Sequence, residues 1–390
     1  MAMFCSFGFL NAIGLFQAYY EKHILNDYSP SIISWIFTVQ LFLMFFLGGL
    51  YGRIIDHYGP TGIMIPSAIL SVLSIALTSL CTKYYQVFLA QGLGFGIGAA
   101  GIFTPAFVCA GQWFHHRRAL ALGIAAAGSS LGGVIHPIYV SHMTENKGFP
   151  GALRYTALFL GLCLIPVCVF VRARLPPKKW DSNDMTFINF SLFLQKGFFF
   201  YSLGSFFVLW GLFAPFNYLP GMALRHGFSE YLSIYTIVVM NAGSVPGRIF
   251  PAHLADKVGR FNVMTVISFL SAISILAFWL PLELISSTHT QIFAFAATYG
   301  FWSGAYISML LPCVAELGSV TTLGVRFGTY EAFIAIACLT GLPIQGQLIV
   351  HDHGGFRDVC IFSGISMLAG AVLIGCARLS RSGPVLRIKT

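Results

Sequence analysis

The stretch GQWFHHRRALALGIAAAGSSLGGVIHP, residues 111–137, decides the fold of this chain. A dense positive cluster, HHRR at 115–118, is followed by a long run rich in Gly, Ala and Ser that carries no charge. A soluble core helix would use larger side chains to fill volume, and a surface helix would carry charges along one face. Neither pattern is present, so we predict surroundings unlike those of an ordinary soluble domain.

The composition predicts that lipid surrounds this chain. Of its 390 residues, 57% are hydrophobic and only 9% are charged, whereas soluble domains carry about 25% charged residues. The formal net charge of +9 could suggest a nucleic-acid partner, but no basic run supports one and we expect none. We assign the excess of basic residues to cytoplasmic loops.

Catalytic, cofactor and metal sites are not predicted. The nine cysteines are scattered singly, which argues against a disulfide framework or a zinc site. His351 and His353 lack further ligands, and no phosphate-binding loop or nucleophile–base pair is visible. We therefore expect no enzyme activity, no cofactor and no metal.

Twelve apolar stretches are long enough to cross a bilayer, which takes about 20 residues each. The predicted fold is an all-α membrane protein with twelve transmembrane helices. The first stretch lacks a basic flank and a cleavage site, so we expect it to stay in the membrane. The spans, numbered 1 to 12 in order, are 2–20, 32–53, 61–81, 86–111, 118–140, 152–171, 197–219, 232–253, 262–282, 291–313, 325–349 and 358–377.

The basic residues predict the orientation. With a cytoplasmic N-terminus, fifteen Lys and Arg lie inside, six lie outside and Arg248 lies within a span. The positive-inside rule then places both termini in the cytoplasm, and we expect the plasma membrane. The HHRR cluster becomes an inner-surface anchor at the start of span 5.

The chain is predicted to form two halves of six spans each, because its most polar segment lies near the middle. GFGIGAA at 94–100 resembles GFWSGAY at 300–306, and GRIIDHYGP at 52–60 resembles AHLADKVGR at 252–260. Two such halves are the symmetry expected of major facilitator transporters. The boundaries are 1–173 for the N-terminal half, 174–196 for a cytoplasmic linker, 197–378 for the C-terminal half and 379–390 for a short tail.

Further motifs make the resemblance specific. The spacing of Gly52, Asp56 and Gly59 resembles the loop between helices 2 and 3 of major facilitator transporters. WFHHRRALALGIAAAGSSLGG, at 113–133, resembles the span 5 signature of the monocarboxylate transporter family. NAGSVPGRIFPAHLADKVGRFN, at 241–262, is similar to the fungal branch of that family.

Small residues at helical spacing in span 5 indicate close helix packing, because close backbone approach stabilises helix pairs in lipid. The resemblance implies that this face, with Gly128 and Gly132, meets span 8 and its Gly247. The two halves could then rock against each other without interlocking side chains. A static pair with no part in gating is the alternative.

The two equivalent inner loops carry Asp56 and Asp256, each followed three residues later by Gly59 or Gly259. A carboxylate at a helix start complements the free N–H groups there. The resemblance implies that each aspartate contacts a helix of the opposite half when the inside is shut. A local cap within its own loop is the alternative.

Arg248 lies inside span 8, where ionisable residues are costly and tend to be functional. The resemblance implies that its guanidinium binds a substrate carboxylate through two hydrogen bonds. A structural ion pair is the alternative. The span 1 lysine and the span 8 aspartate of the family's proton-linked lactate carriers are absent, and Ser244 stands at the aspartate position.

A larger or less acidic substrate than lactate is therefore expected. Glu331 in span 11 is either a titrating group of a proton-coupled cycle or, as we favour, the ion-pair partner of Arg53 on span 2. The neutral candidates for hydrogen bonds to substrate are Asn11, Gln17, Asn217, Tyr218 and Asn241.

These features together predict a secondary transporter that moves a small organic molecule through the bilayer by alternating access. We favour export of a fungal secondary metabolite or organic acid. Uptake of a monocarboxylate or riboflavin-like nutrient is the alternative. A transport-inactive membrane sensor is the alternative of another class, although it would usually show long cytoplasmic extensions.

Overall fold

The computed structural model describes residues 1–114, 117–174, 188–285, 288–318 and 323–382. Every element of regular structure in these ranges is helical, which confirms the predicted all-α fold. An apolar chain in lipid takes this form because a helix satisfies its own backbone hydrogen bonds. The HHRR histidines, most of the predicted linker and the end of the predicted tail lie outside the described residues.

The helices follow the predicted spans, and we number them α1 to α12. Eight helices of the described ranges are long and apolar enough to cross a membrane, and the bent first helix would be a ninth. One of the eight, Arg118–Phe170, turns at Gly148 and is numbered as two helices, α5 and α6. Two further helices, α8 and α10, are more polar than these eight but long enough to be counted with them. The bounds after α1 are α2 Pro30–Tyr58, α3 Thr61–Thr78, α4 Tyr84–Trp113, α5 118–147, α6 149–170, α7 Lys196–Arg225, α8 Glu230–Val258, α9 Arg260–Leu284, α10 His289–Glu316, α11 Leu323–His351 and α12 Arg357–Ser382.

The first helix, α1, is broken, whereas the sequence predicted one continuous span. It consists of Ala2–Cys5, Phe7–Leu10 and Ile13–Tyr19, followed by a π-helical turn at Tyr20–Ile24. The parts before and after Asn11 meet at 41°. Asn and Gly are weak helix formers, and Asn11 and Gly14 stand at and just after the break.

The helix of span 5 is longer than the apolar span predicted for it, which ended at residue 140. The helix continues through a polar segment to residue 147, and the chain turns at Gly148, where φ is +69°. A left-handed φ favours glycine because it has no Cβ. Hydropathy finds the apolar part of a helix and misses the part that projects beyond the membrane.

The two halves meet mainly along two helix pairs, α2 with α11 and α5 with α8, and α1 also contacts α7. The outer helices α3, α6, α9 and α12 expose large apolar side chains, among them Ile69, Leu158, Val266 and Val372. These side chains would face lipid. We call the side of the bundle with the α2–α3 and α8–α9 turns the terminal face, and the side with the α1–α2 and α7–α8 turns the opposite face.

Candidate functional site

A carboxylate joins the two halves at the terminal face. Asp256, near the end of α8, accepts hydrogen bonds from the backbone N–H groups of Ala119 at 3.4 Å and Leu120 at 3.1 Å, in the first turn of α5. The positive end of the α5 dipole favours this charge. Arg260 holds the same carboxylate at 3.3 Å and also contacts Glu316 at 3.4 Å. The sequence analysis had not identified Glu316.

The equivalent loop of the N-terminal half is described only in part. The side chain of Asp56 lies outside the described residues, so the contact predicted for it stays a prediction. Gly59 and Gly259 end α2 and α8 with φ of +78° and +106°, which explains the glycine at both positions. A Cβ at Gly52 would meet no atom within 4 Å, so Gly52 makes no tight contact.

The helices α2 and α11 contact each other through glycines. A Cβ at Gly49 would lie 3.1 Å from the carbonyl oxygen of Gly328, so the two backbones touch. Glu331 is 1% exposed and points at Gly48. Neither oxygen of its carboxylate has a hydrogen-bond partner among the described residues.

The favoured ion pair between Arg53 and Glu331 was therefore wrong for this state. Arg53 has other interactions and lies five residues beyond Gly48 on α2, which is about 7.5 Å along the helix. Because Gly48 and Gly49 have no side chains, α11 approaches α2 closely and Glu331 is enclosed beside Gly48. Its carboxylate is thus separated from Arg53.

The predicted contact face of α5 was also wrong. Gly132 faces α1, because a Cβ there would lie 2.7 Å from the Cα of Gly8, and Gly128 faces Met3 of α1. Gly247 faces α10 within its own half. The stripe of α5 that meets α8 contains Gly123 and Gly133. A Cβ at Gly123 would meet the backbone of Arg248 and the Cβ of Ala252, and a Cβ at Gly133 would meet the side chain of Asn241.

The register error has a simple cause. Small residues line more than one face of α5, and neighbouring residues on a helix point about 100° apart. A four-residue spacing therefore cannot identify the partner of each stripe. The helix α1, whose break the sequence did not predict, occupies the face of α5 that we had assigned to α8.

Arg248 lies in the seam between α5 and α8 and is 2% exposed. Its Nε donates to Ser244 Oγ at 3.1 Å, and its Nη1 donates to the Ala126 carbonyl at 2.8 Å and to Ser129 Oγ. Its Cζ lies 5.8 Å from the centre of the Phe7 ring. Among the described residues, Nη2 has no acceptor and the guanidinium has no carboxylate partner.

Serines of the opening stretch hold this arginine. Ser130 Oγ lies 2.8 Å from Ser244 Oγ across the seam, beside the bond from Arg248 to Ser129. The sequence analysis interpreted this stretch only as a packing surface. The adjacent serines at 129 and 130, opposite an arginine in the partner helix, were the signal that could have identified them.

Of the five neutral candidates, two lie along the seam with Arg248 and three lie elsewhere. Asn11 donates to the Ser129 carbonyl at 3.2 Å, and Asn241 lies beside Gly133, so both lie along the seam with Arg248. The Oδ1 of Asn241 has no hydrogen-bond partner among the described residues. Gln17 instead bonds Glu21 and the Pro30 carbonyl at the opposite face. On α7, Tyr218 donates to the Leu342 carbonyl of α11 at 2.7 Å, while both amide atoms of Asn217 lack partners within the ranges that the structure describes.

Within the described part of the chain, contacts join the two halves at both faces of the bundle. At the opposite face, Lys22 pairs with Glu230, and Ser31 Oγ donates to the Pro343 carbonyl at 3.0 Å. Between α2, α4, α10 and α11 a cavity of about 10 Å³ remains, lined by Phe45, Phe103 and Glu331 among others. That is room for about one water molecule, so this state holds no substrate-sized space there.

Comparison with known proteins agrees with this architecture. Residues 1–288 match the family model described as Major Facilitator Superfamily. The chain is 42% identical to "MFS-type transporter hasB" of Aspergillus fumigatus, over 100% of this chain and 89% of that protein. It is 37% identical to the "Fujikurins efflux protein" of Gibberella fujikuroi, over 96% of this chain and 80% of that protein. It is 39% identical to the "Aspyridones efflux protein apdF" of Emericella nidulans, over 98% and 76%. The chain therefore belongs to the major facilitator superfamily of membrane transporters.

Proposed function

We propose that this protein exports a small acidic secondary metabolite by alternating access, with Arg248 as the residue that holds its acid group. The observation that carries the proposal is the buried guanidinium in the seam between the halves, with Nη2 unused and no carboxylate partner among the described residues. Two relatives named as efflux proteins support export as the direction. The span 5 and span 8 motifs support a place near the monocarboxylate transporters.

The surroundings of Arg248 suit an acid with an apolar or aromatic body. A carboxylate would supply the negative charge that the buried guanidinium lacks, and Arg binds carboxylates through two parallel hydrogen bonds. The Phe7 ring beside it continues into an aromatic cluster, with ring centres 6.3 Å from Phe45, 6.0 Å from Phe103 and 6.3 Å from Phe213. These rings would contact the rest of the substrate once the halves separate.

Protons are the proposed second partner, with Glu331 as the residue that carries them. An ionised carboxylate that is buried without partners is very unfavourable, so Glu331 holds a proton in this closed state. Opening of the α2–α11 contact would hydrate the carboxylate and release the proton. Closure of the empty carrier would then require a proton, which couples proton entry to substrate export.

The proposed orientation follows the basic residues. We propose that the terminal face, where Arg172, Arg174 and Arg260 lie, is cytoplasmic and that the membrane is the plasma membrane. Asp256 then holds the cytoplasmic side shut, and Lys22 with Glu230 holds the outer side.

Transport into inside-out vesicles tests the function. We expect vesicles with this protein and an acidic lumen to accumulate labelled indole-3-acetate above vesicles without it, while the neutral analogue indole-3-ethanol shows no difference. Passive diffusion of the acid would favour the alkaline side, so accumulation in the acidic lumen indicates transport. Accumulation only in right-side-out vesicles would favour uptake, and equal accumulation of both probes would refute the anionic substrate.

A further inference from the structure

A groove runs along the outer surface of the N-terminal half, far from the seam that contains Arg248. It lies between α3 and α6 and has a volume of about 430 Å³, within the range of pockets that hold small ligands. Ile65, Ile69 and Leu73 on its α3 wall are about half exposed, so the groove opens toward the membrane. Its lining is Ile65, Ala68, Ile69, Val72, Leu73, Gly161, Leu164, Ile165, Cys168 and Val169.

The groove has the length of one membrane leaflet. It extends over eight residue steps on each wall, from Ile65 to Leu73 and from Gly161 to Val169, which is about 12 Å along a helix. Half of the hydrocarbon core is about 15 Å thick. Gly161 contributes to the depth, because the nearest atom to a Cβ there would be a methyl of Val72 at 3.6 Å. An acyl chain of the leaflet at the terminal face therefore fits along it.

The end of the groove at the terminal face is polar and basic. Arg172, three residues after Val169, donates from Nη1 to the Thr61 hydroxyl at 2.8 Å and so joins the end of α6 to the start of α3. The Trp113 indole N–H donates to the Arg172 carbonyl at 3.1 Å. Arg172 and Arg174 are both exposed, and guanidinium groups bind phosphate through paired hydrogen bonds. The groove thus ends in donors placed where lipid headgroups lie.

We propose that this groove binds one anionic glycerophospholipid of the leaflet at the terminal face. One acyl chain lies between α3 and α6, and the headgroup phosphate is held by Arg172 and Arg174. Trp113, which is 56% exposed, lies at the same level, as aromatic residues do at membrane interfaces. The bound lipid would hold α3 and α6 together, so it would stabilise the N-terminal half independently of the transported molecule.

Lipid retention by the purified protein tests the proposal. The protein in neutral detergent is given equal amounts of phosphatidylserine and phosphatidylcholine with the same acyl chains, and bound lipid is counted by native mass spectrometry. We expect at least tenfold more phosphatidylserine than phosphatidylcholine to remain bound. Arg172→Gln should bring the two lipids close to equal retention. Equal retention by the unchanged protein would overturn the proposal, as would stronger retention of palmitate or a sterol.

Two further variants separate the groove from general effects on the surface. Gly161→Phe fills the groove and should reduce phosphatidylserine retention at least tenfold. Gly375→Phe is the matched control, because Gly375 of α12 faces Thr265 of α9 at the same 3.6 Å in the other half. Equal retention by the two variants would place the lipid elsewhere.

A fluorescence measurement covers the case in which Gly161→Phe fails to fold. Ile165→Trp changes a side chain that is 60% exposed at the groove, and Val372→Trp changes one that is 50% exposed on α12. Phosphatidylserine with brominated acyl chains should quench the tryptophan at 165 more strongly than the one at 372. Equal quenching would show that no lipid is held preferentially in the groove.

Discussion

Arg248 and Asp256 lie eight residues apart on α8, and both contact α5 of the opposite half. The guanidinium donates to the Ala126 carbonyl at 2.8 Å, and the carboxylate accepts from the Leu120 N–H at 3.1 Å. The two contacts are about 12 Å apart along the helix. A substrate acid that binds Arg248 would compete with one of the two contacts that keep this seam closed. With Arg248 as the proposed substrate residue, binding and opening would therefore be linked through one helix.

The first prediction concerns the role of Arg248. Arg248→Lys keeps the charge but loses the planar fork, and Arg248→Ala loses both, so transport of an anionic probe should fall at least tenfold in either variant. Membrane abundance should stay near normal, because no described carboxylate depends on the arginine. Vesicle transport and quantitative immunoblotting measure the two properties.

A double variant distinguishes substrate binding from a structural ion pair. If Arg248 stabilised the fold by pairing with Glu331, Arg248→Ala would express poorly and Glu331→Gln would restore it. We expect no such rescue, since Arg248 and Glu331 do not pair with each other in the structure. Recovery of abundance in the double variant would refute the substrate role.

The second prediction separates the two faces of α5. Gly123→Leu should abolish transport while the protein still folds. The leucine side chain would clash with the backbone of Arg248 on α8 and hold the halves apart. Gly132→Ala should instead lower stability, because a Cβ there would lie 2.7 Å from Gly8 within the same half. Gly62→Leu is the control, since a Cβ at Gly62 would meet no atom within 4 Å. Transport and thermal unfolding are measured for the three variants. Normal transport by Gly123→Leu would contradict the assignment of this face to the seam.

The third prediction tests the Asp256 contact as a gate. Asp256→Asn removes the charge that complements the α5 N-terminus, a loss of about 1–2 kcal/mol. The open state should then gain roughly 5- to 30-fold in population. A cysteine introduced at Ala252, which faces Gly123 in the seam, should react faster with a maleimide by a similar factor. Glu283→Gln is the control, because Glu283 is similarly buried and pairs with Arg225 and His226 inside its own half, away from Asp256. Equal labelling rates in both variants would argue against a gate.

The fourth prediction concerns the proton on Glu331. Glu331→Gln imitates the protonated carboxyl, so the variant should fold and close normally. Closure should no longer depend on proton binding, and accumulation driven by a proton gradient should be lost while exchange of substrate on the two sides persists. Because ionisation opposes burial, closure of the unchanged protein should weaken as pH rises. Gradient-driven accumulation that survives in the variant would rule out Glu331 as the coupling residue.

Much of the fold could be predicted because the features that determine it follow one another along the sequence. Span length follows from bilayer thickness, and the repeat of Asp56–Gly59 and Asp256–Gly259 is visible in the chain itself. The burial of Arg248 also followed from its place within an apolar run.

The choice of neighbours could not be predicted in the same way. The partner of each face of α5 depends on how α1 bends at Asn11, and although Asn11 and Gly14 weaken the helix there, they do not fix the angle or direction of the bend. The isolation of Glu331 depends on the close approach of Gly49 and Gly328, a contact between residues far apart in the chain. Both errors concern helix rotation and tilt, which are set by packing between helices.

The closures at the two faces differ in their exposure to salt. The side chains of Lys22 and Glu230 are 55% and 66% exposed, whereas that of Asp256 is 10% exposed and bonded to helix N–H groups. Dissolved ions weaken an exposed pair far more than a buried contact. The ionic strength at the opposite face would therefore act strongly on the Lys22–Glu230 closure, whereas the ionic strength at the terminal face would have little effect on the Asp256 contact. With the opposite face outside, as proposed, the salt of the outer medium would influence how readily the transporter opens toward it.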